Sequence, residues 1–116
     1  MSTIACNKWD IVLVPFPFTD LTTAKRRPAL VVSPDDYNAS ARDLVIALVT
    51  SRTGLAPRPG DHWIRSWQES GLPKPSVLRM KFATVDAGIV LRKIGVLAEA
   101  ERGDVRELLR GFFAGP

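Results

Sequence analysis

The sequence predicts a mainly β (α+β) fold: a small half-open barrel closed by one C-terminal helix. Three observations carry this expectation. Short apolar, β-branched runs recur at 9–15, 28–32, 43–50, 76–82 and 90–97, with a shorter candidate at 62–65. No segment between successive runs is periodic and long enough for a helical crossover, which argues against a parallel α/β sheet. Only residues 99–113 set Val105, Leu108, Leu109 and Phe112 along a single helical stripe.

The elements follow in order. Residues 1–8 form a short polar lead, and Trp9-Asp10-Ile11-Val12-Leu13-Val14-Pro15 reads as a buried strand ended by proline. Residues 16–24 contain Pro17, follow directly on Pro15 and show no periodicity, so they predict a connecting loop whose Phe16 and Phe18 pin it to the barrel. A second strand is expected from Pro28 to Val32, with Pro28 as its first residue because proline lacks an amide proton. Ser33-Pro34-Asp35-Asp36 supplies a cap, a proline at the first helical position and acids in the first turn, predicting a short helical turn through Tyr37. Residues 43–50 are apolar on both faces, which marks a central strand. Prolines and Gly60 make 55–60 turn-rich, and 66–72 predict one helical turn. In the run 76–82, Arg79 and Lys81 alternate with Leu78, Met80 and Phe82. Gly103, Gly111 and Gly115 weaken the start of the final helix and mark its end.

With 116 residues, 46% of them hydrophobic and 24% charged, the chain suits one folded domain spanning 1–116 around a single core. No run approaches the roughly 18 apolar residues of a membrane span, and there is no charged-then-apolar leader, so the cytoplasm is the expected location. Cys6 is the sole cysteine and His62 the sole histidine. An internal disulfide and a cysteine- or histidine-built zinc site are thereby excluded, and neither a metal nor another cofactor is expected. His62 reads as a surface or edge residue.

The net charge of +4 favours polyanions, and residues 52–93 concentrate it, with eight cations against three anions. The sharpest junction is Lys25-Arg26-Arg27-Pro28, where three cations run into an apolar strand. Pro28 pushes Arg27 toward extended backbone, so its guanidinium is held more narrowly than on a free loop, as a phosphate site requires.

Four segments in register complete the pattern: Asp10-Ile11-Val12-Leu13-Val14-Pro15-Phe16, Arg27-Pro28-Ala29-Leu30-Val31-Val32-Ser33, Val49-Thr50-Ser51 and Pro75-Ser76-Val77-Leu78-Arg79. Their order and spacing resemble the MazF/PemK (Kid-like) toxin family over nearly the whole chain. The resemblance implies an SH3-like, CcdB/PemK-type barrel, usually a homodimer, that cleaves single-stranded RNA without metal. It also implies neutralisation by a cognate antitoxin with an acidic C-terminal segment. Carried over residue by residue, it makes Arg27 and Thr50 catalytic and Ser51 and Arg79 substrate-binding; Arg26 beside Arg27 and Lys81 beside Arg79 are added as substrate-binding residues for their charge. Lys25 and Arg26 are mobile charges that attract RNA or the antitoxin.

Three departures accompany the resemblance. Some members carry a histidine in the loop before the Arg-Pro step, where this chain has Leu21, Thr22 and Thr23. Some place an aspartate shortly after the position of Arg79, where this chain has Met80-Lys81-Phe82. Trp9 stands where a glycine commonly precedes the first aspartate. Two alternatives therefore stay open: a gyrase-poisoning CcdB-like toxin acting through its C-terminal helix, and a catalytically silent barrel that binds nucleic acid or antitoxin.

Overall fold

Pleat alternation sorts the apolar runs of this chain onto the two faces of one sheet. The computed structural model describes residues 4–16, 25–51, 54 and 56–115, the side chain of Phe16 excepted. The predicted loop at 17–24, including Phe18, and residues 52, 53 and 55 lie outside the described residues. Strands β1 (Asp10–Phe16), β2 (Lys25–Val31), β3 (Asp43–Thr50), β4 (His62–Ile64), β5 (Ser76–Asp86) and β6 (Arg92–Val96) make a six-stranded sheet in the order β4-β5-β3-β2-β1-β6. All five pairings are antiparallel. Two helices accompany them, α1 (Asp35–Ala41) and α2 (Glu99–Ala114).

The expected single core is divided by the sheet into two clusters. Ile11, Leu30, Ala47, Val49 and Leu78 pack on one face with Ile64, Leu72, Leu97 and Val105 of α2. Val12, Val14, Ala29, Val31, Leu44, Ile46 and Leu48 pack on the other with Cys6 and Val90. β3 contributes alternately to both, which is why its residues read as apolar on two faces. Its place between β5 and β2 confirms it as an inner strand. Each fully buried Leu, Ile or Val side chain contributes about 1.5–3 kcal/mol, so β3 anchors the fold more than any edge strand does.

Several boundaries move for physical reasons. β2 begins at Lys25, three residues before Pro28. Pro28 is tolerated inside it because β2 pairs with β3 only through Ala29, Leu30 and Val31, while Pro28 itself faces Leu13 of β1. The helical turn at 33–37 extends to Ala41, and its N-cap is Pro34, not Ser33. The Ser33 hydroxyl is engaged elsewhere: it bonds Asn38 Oδ1 at 2.5 Å and accepts the Val45 amide at 2.9 Å, tying α1 to β3. β5 continues four residues past Phe82, because its second half keeps pairing with β3 down to Asp43. The last strand, expected over 90–97, runs from Arg92 to Val96; ahead of it 87–89 form a 3₁₀ turn whose start Asp86 caps by accepting the Gly88 amide.

The barrel closes through the turn at 66–72. Its end carries the bond pattern of a Schellman motif, Leu72 N–H to Trp67 O at 2.9 Å and Gly71 N–H to Gln68 O at 3.1 Å, with Gly71 at φ +84°. That turn lies backbone to backbone against β6: a Cβ on Gly95 would stand 1.9 Å from Ser70 O. Ser70 Oγ in turn accepts the Ala98 amide at 2.9 Å, just before α2. α2 then spans the barrel, burying Val105 and leaving Phe112 and Phe113 half to two-thirds exposed against the Phe82 ring.

Candidate active-site cleft

The end of the β2–β3 ladder builds the site. The β2–β3 register of Ala29 with Leu48, continued by two residues, sets Arg27 opposite Thr50. Alternation puts both on the face of Ala29 and Leu48. A cleft of about 230 Å³ opens there, lined by Lys25, Arg26, Arg27, Pro28, Val49, Thr50 and Ser51. Pro28 thus does more than narrow the backbone of Arg27. Having no N–H to offer β3, it stands where the ladder stops and the strands part.

Four of the six sequence-predicted site residues, Arg27, Thr50, Ser51 and Arg26, meet in this cleft, together with Lys25. Thr50 is 4% exposed at the base, between its β5 partner Val77 and the mouth. Arg27 is half-buried, while Lys25, Arg26 and Ser51 are exposed at the rim. The described lining holds three cations and no carboxylate, so the local field favours an anion. A guanidinium stays charged at any working pH and presents a planar fork to phosphate oxygens, and a threonine hydroxyl beside it both donates and accepts.

Arg79 and Lys81 do not line this cleft. β5 bulges where they lie: Ala47 faces Phe82 and Val49 faces Leu78, so Arg79, Met80 and Lys81 stand against Leu48 alone. Leu78, Met80 and Phe82 keep to one face through this stretch, as the alternation predicts, and Arg79 is buried, at 7% exposure. Its Nη2 donates to the Ala56 carbonyl at 2.9 Å and to Asp61 Oδ2 at 3.2 Å. Asp86, at the end of the same strand, accepts the Gly88 amide and caps the 3₁₀ turn. No local pattern signals Asp61 or Ala56 as partners, because 18 and 23 residues separate them from Arg79.

His62 stands on the edge strand as expected but is buried, with Nε2 2.8 Å from Glu101 Oε1 on α2. Burial pushes the Glu101 carboxyl up, but hydrogen bonds from the Ser66 amide and with His62 outweigh it and hold the group below the ordinary glutamate range. Burial, reinforced by Asp10 and opposed by Lys93, pushes the Cys6 thiol up, which makes it an inert packing group in the cluster of Ala29 and Leu48. Among the described residues no three His, Cys, Asp or Glu side chains come together as a metal site.

With this geometry in place, comparison with known proteins is direct. A family model described as "PemK-like, MazF-like toxin of type II toxin-antitoxin system" matches residues 7–113. The chain belongs to that family. Endoribonuclease MazF6 of Mycobacterium tuberculosis and endoribonuclease MazF2 of Mycobacterium bovis are each 45% identical to it over 58 residues. That match takes in 49% of this PemK/MazF-like chain and 50% of each relative, so the chain spans about half the length of the curated relatives it matches. A mycobacterial endoribonuclease solved with its cognate antitoxin superposes with a TM-score of 0.77 at 15% identity, covering 97% of this chain and 98% of that one. A MazE–MazF complex from Deinococcus radiodurans gives 0.71 at 22% identity, covering 97% and 99%. These superpositions establish the half-barrel fold with its C-terminal helix as the family's. No helix among the described residues is long and apolar enough to cross a membrane.

Proposed function

We propose that this chain, as one toxin domain over 1–116, is the toxin of a type II toxin-antitoxin system and a metal-independent endoribonuclease that cleaves single-stranded RNA at specific sequences. The observation that carries this reading is the convergence of Arg27 and Thr50 at the mouth that Pro28 opens between β2 and β3. Family membership and the curated relatives named endoribonucleases support it.

In the proposed reaction the 2′-oxygen of the substrate attacks the adjacent phosphorus, and the bond to the 5′-oxygen of the next nucleotide breaks. The 2′-hydroxyl proton is lost and one is gained by the departing oxygen. The products are a 2′,3′-cyclic phosphate and a 5′-hydroxyl, with no water consumed. Arg27 binds the scissile phosphate and stabilises the charge that grows on its equatorial oxygens, and it assists proton transfer. Thr50 donates to a phosphoryl oxygen, fixing the phosphorus relative to the 2′-oxygen. Ser51, Arg26 and Lys25 hold the strand at the rim. Lys81, outside the described cleft, binds substrate only where RNA leaves it, whereas Arg79, buried and held by Ala56 and Asp61, makes no direct contact with RNA in this reading. The protein works in the cytoplasm as a homodimer and is neutralised by a cognate antitoxin whose acidic C-terminal segment competes for the same cations. The mycobacterial and Deinococcus structures solved with antitoxins support that partnership.

The described cleft holds no histidine or carboxylate, an observation that favours the catalytically silent barrel as a second reading. The exposed Phe112 and Phe113 on α2 are what a gyrase-poisoning, CcdB-like toxin would use. One experiment separates the three: incubation with a panel of single-stranded RNAs in EDTA, with mapping of the ends. The ribonuclease reading expects cyclic-phosphate and 5′-hydroxyl ends and a loss of about 10²-fold or more in Arg27→Ala and Thr50→Ala. Uncleaved RNA that is still bound points to the silent barrel. Inhibition of gyrase without RNA binding points to the CcdB-like toxin.

A further inference from the structure

The tightest unexplained polar arrangement outside the cleft is the pair of Arg79 and Asp61, whose side chains are 9% and 11% exposed. It is joined end-on, through Nη2 and Oδ2 at 3.2 Å, and leaves Arg79 Nε and Asp61 Oδ1 buried with no partner among the described residues. Two such orphans cost stability, so the pair is not there as an optimised brace for the core. Its placement suggests what it does instead.

Arg79 occupies the β5 bulge, and bulged strands are where register and aim are set. One residue before it, Leu78 pairs with Val49 on one side and His62 on the other. Before that, Val77 pairs with Thr50 and with Trp63. The height of Thr50 in the cleft therefore depends on where the bulge sits. Residues 56–61 grip the bulge twice. Arg79 Nη2 holds Ala56 O and Asp61, and Gly60 lies so close over Met80 that an added Cβ would be 2.7 Å from its Cγ. Asp61 is itself locked in a turn, accepting the Arg58 amide at 2.9 Å while its own amide reaches Arg58 O at 3.0 Å.

We propose that Asp61 and Arg79 form a positioning pair that fixes the β5 bulge and through it the catalytic position of Thr50. This inference rests on the ribonuclease reading for its kinetic consequence but not for its structural one. Arg79 acts through Val77 and Thr50, with its guanidinium committed to protein partners, and the residue that commits it is Asp61. The arrangement also accounts for a chain with Lys81 where an acid might have stood on β5: the carboxylate that governs Arg79 arrives from the turn before β4.

Asp61→Asn keeps shape and removes the charge, and Asp61→Glu restores it. Asp61→Asn is expected to speed hydrogen exchange of the Thr50 and Val77 amides about tenfold relative to the Ile11 amide in β1, a ratio that destabilisation common to the whole fold does not raise. With RNA, kcat falls about tenfold while KM stays within about twofold, and Asp61→Glu recovers most of the loss. Unchanged relative exchange overturns the proposal. So does a lower KM in Asp61→Asn, which would mean that a freed Arg79 grips RNA directly. If the wild-type protein cleaves no RNA, faster relative exchange still supports the positioning pair while the ribonuclease reading falls.

Discussion

At the scale of single residues, the chain spends its buried charge sparingly and each case has a stated partner. Glu101, 4% exposed, ties α2 to β4 and to the turn after it by accepting the Ser66 amide and bonding His62. Because its carboxyl is held below its unfolded value, its contribution is complete above the ordinary glutamate pKa of about 4.3 and is lost as pH falls through the lower folded value. Stability measured by urea unfolding should therefore drop on acidification below that range. Glu101→Gln should cost about 1–3 kcal/mol at neutral pH and flatten the acid limb of the profile. Trp9 is the opposite kind of residue. It sits at φ +79°, the left-handed region that glycine occupies freely, yet it is 7% exposed in the core under α2. The family's usual glycine at this position was legible from sequence as a departure. The compensation was not: Lys8 and Arg106 approach the indole at 5.1 and 5.4 Å, and residue 106 is far away in the chain.

At the scale of elements, periodicity was the dependable guide wherever one element met one environment. β3 was readable to the residue because both its faces are buried. α2 was readable because a stripe through Val105 and Leu109 faces the barrel. The bulge in β5 was not, since nothing in Arg79-Met80-Lys81 distinguishes three residues facing three from three facing one. Glycines separate two further cases. In α2 an added Cβ on Gly103 meets nothing within 4 Å, so Gly103→Ala should raise stability by about 0.5–1 kcal/mol in thermal or urea unfolding. Gly95 in β6 faces the Ser70 carbonyl at 1.9 Å from an added Cβ, and Gly95→Ala should lose more than about 3 kcal/mol because backbone on both sides would have to move.

At the scale of the whole molecule, the sheet gathers charge that the chain disperses. Among the described residues, the cations between 58 and 93 do not line the cleft; the three cations of β2 do, because they lie just beyond the β2–β3 pairing that Pro28 adjoins. If those three neutralise three phosphates of a single strand, binding should weaken with salt at a slope of about −2 in log K against log salt. Lys25→Ala and Arg26→Ala should each flatten that slope by about 0.7, measured by fluorescence anisotropy on a cleavage-dead background, whereas Arg110→Ala, on the outer face of α2, should not.

By itself the sequence determined the strands, the final helix and the Arg-Pro junction, because alternation, helical spacing and the missing amide proton of proline are local properties. It also determined the family, through four short segments in register. Only the tertiary structure decided that Pro28 marks the end of a ladder inside a strand, that Arg79 is turned from the cleft toward Asp61, and that His62 is buried against α2. Each of those depends on a partner brought from elsewhere in the chain, and no local pattern encodes which distant carboxylate a buried charge will meet.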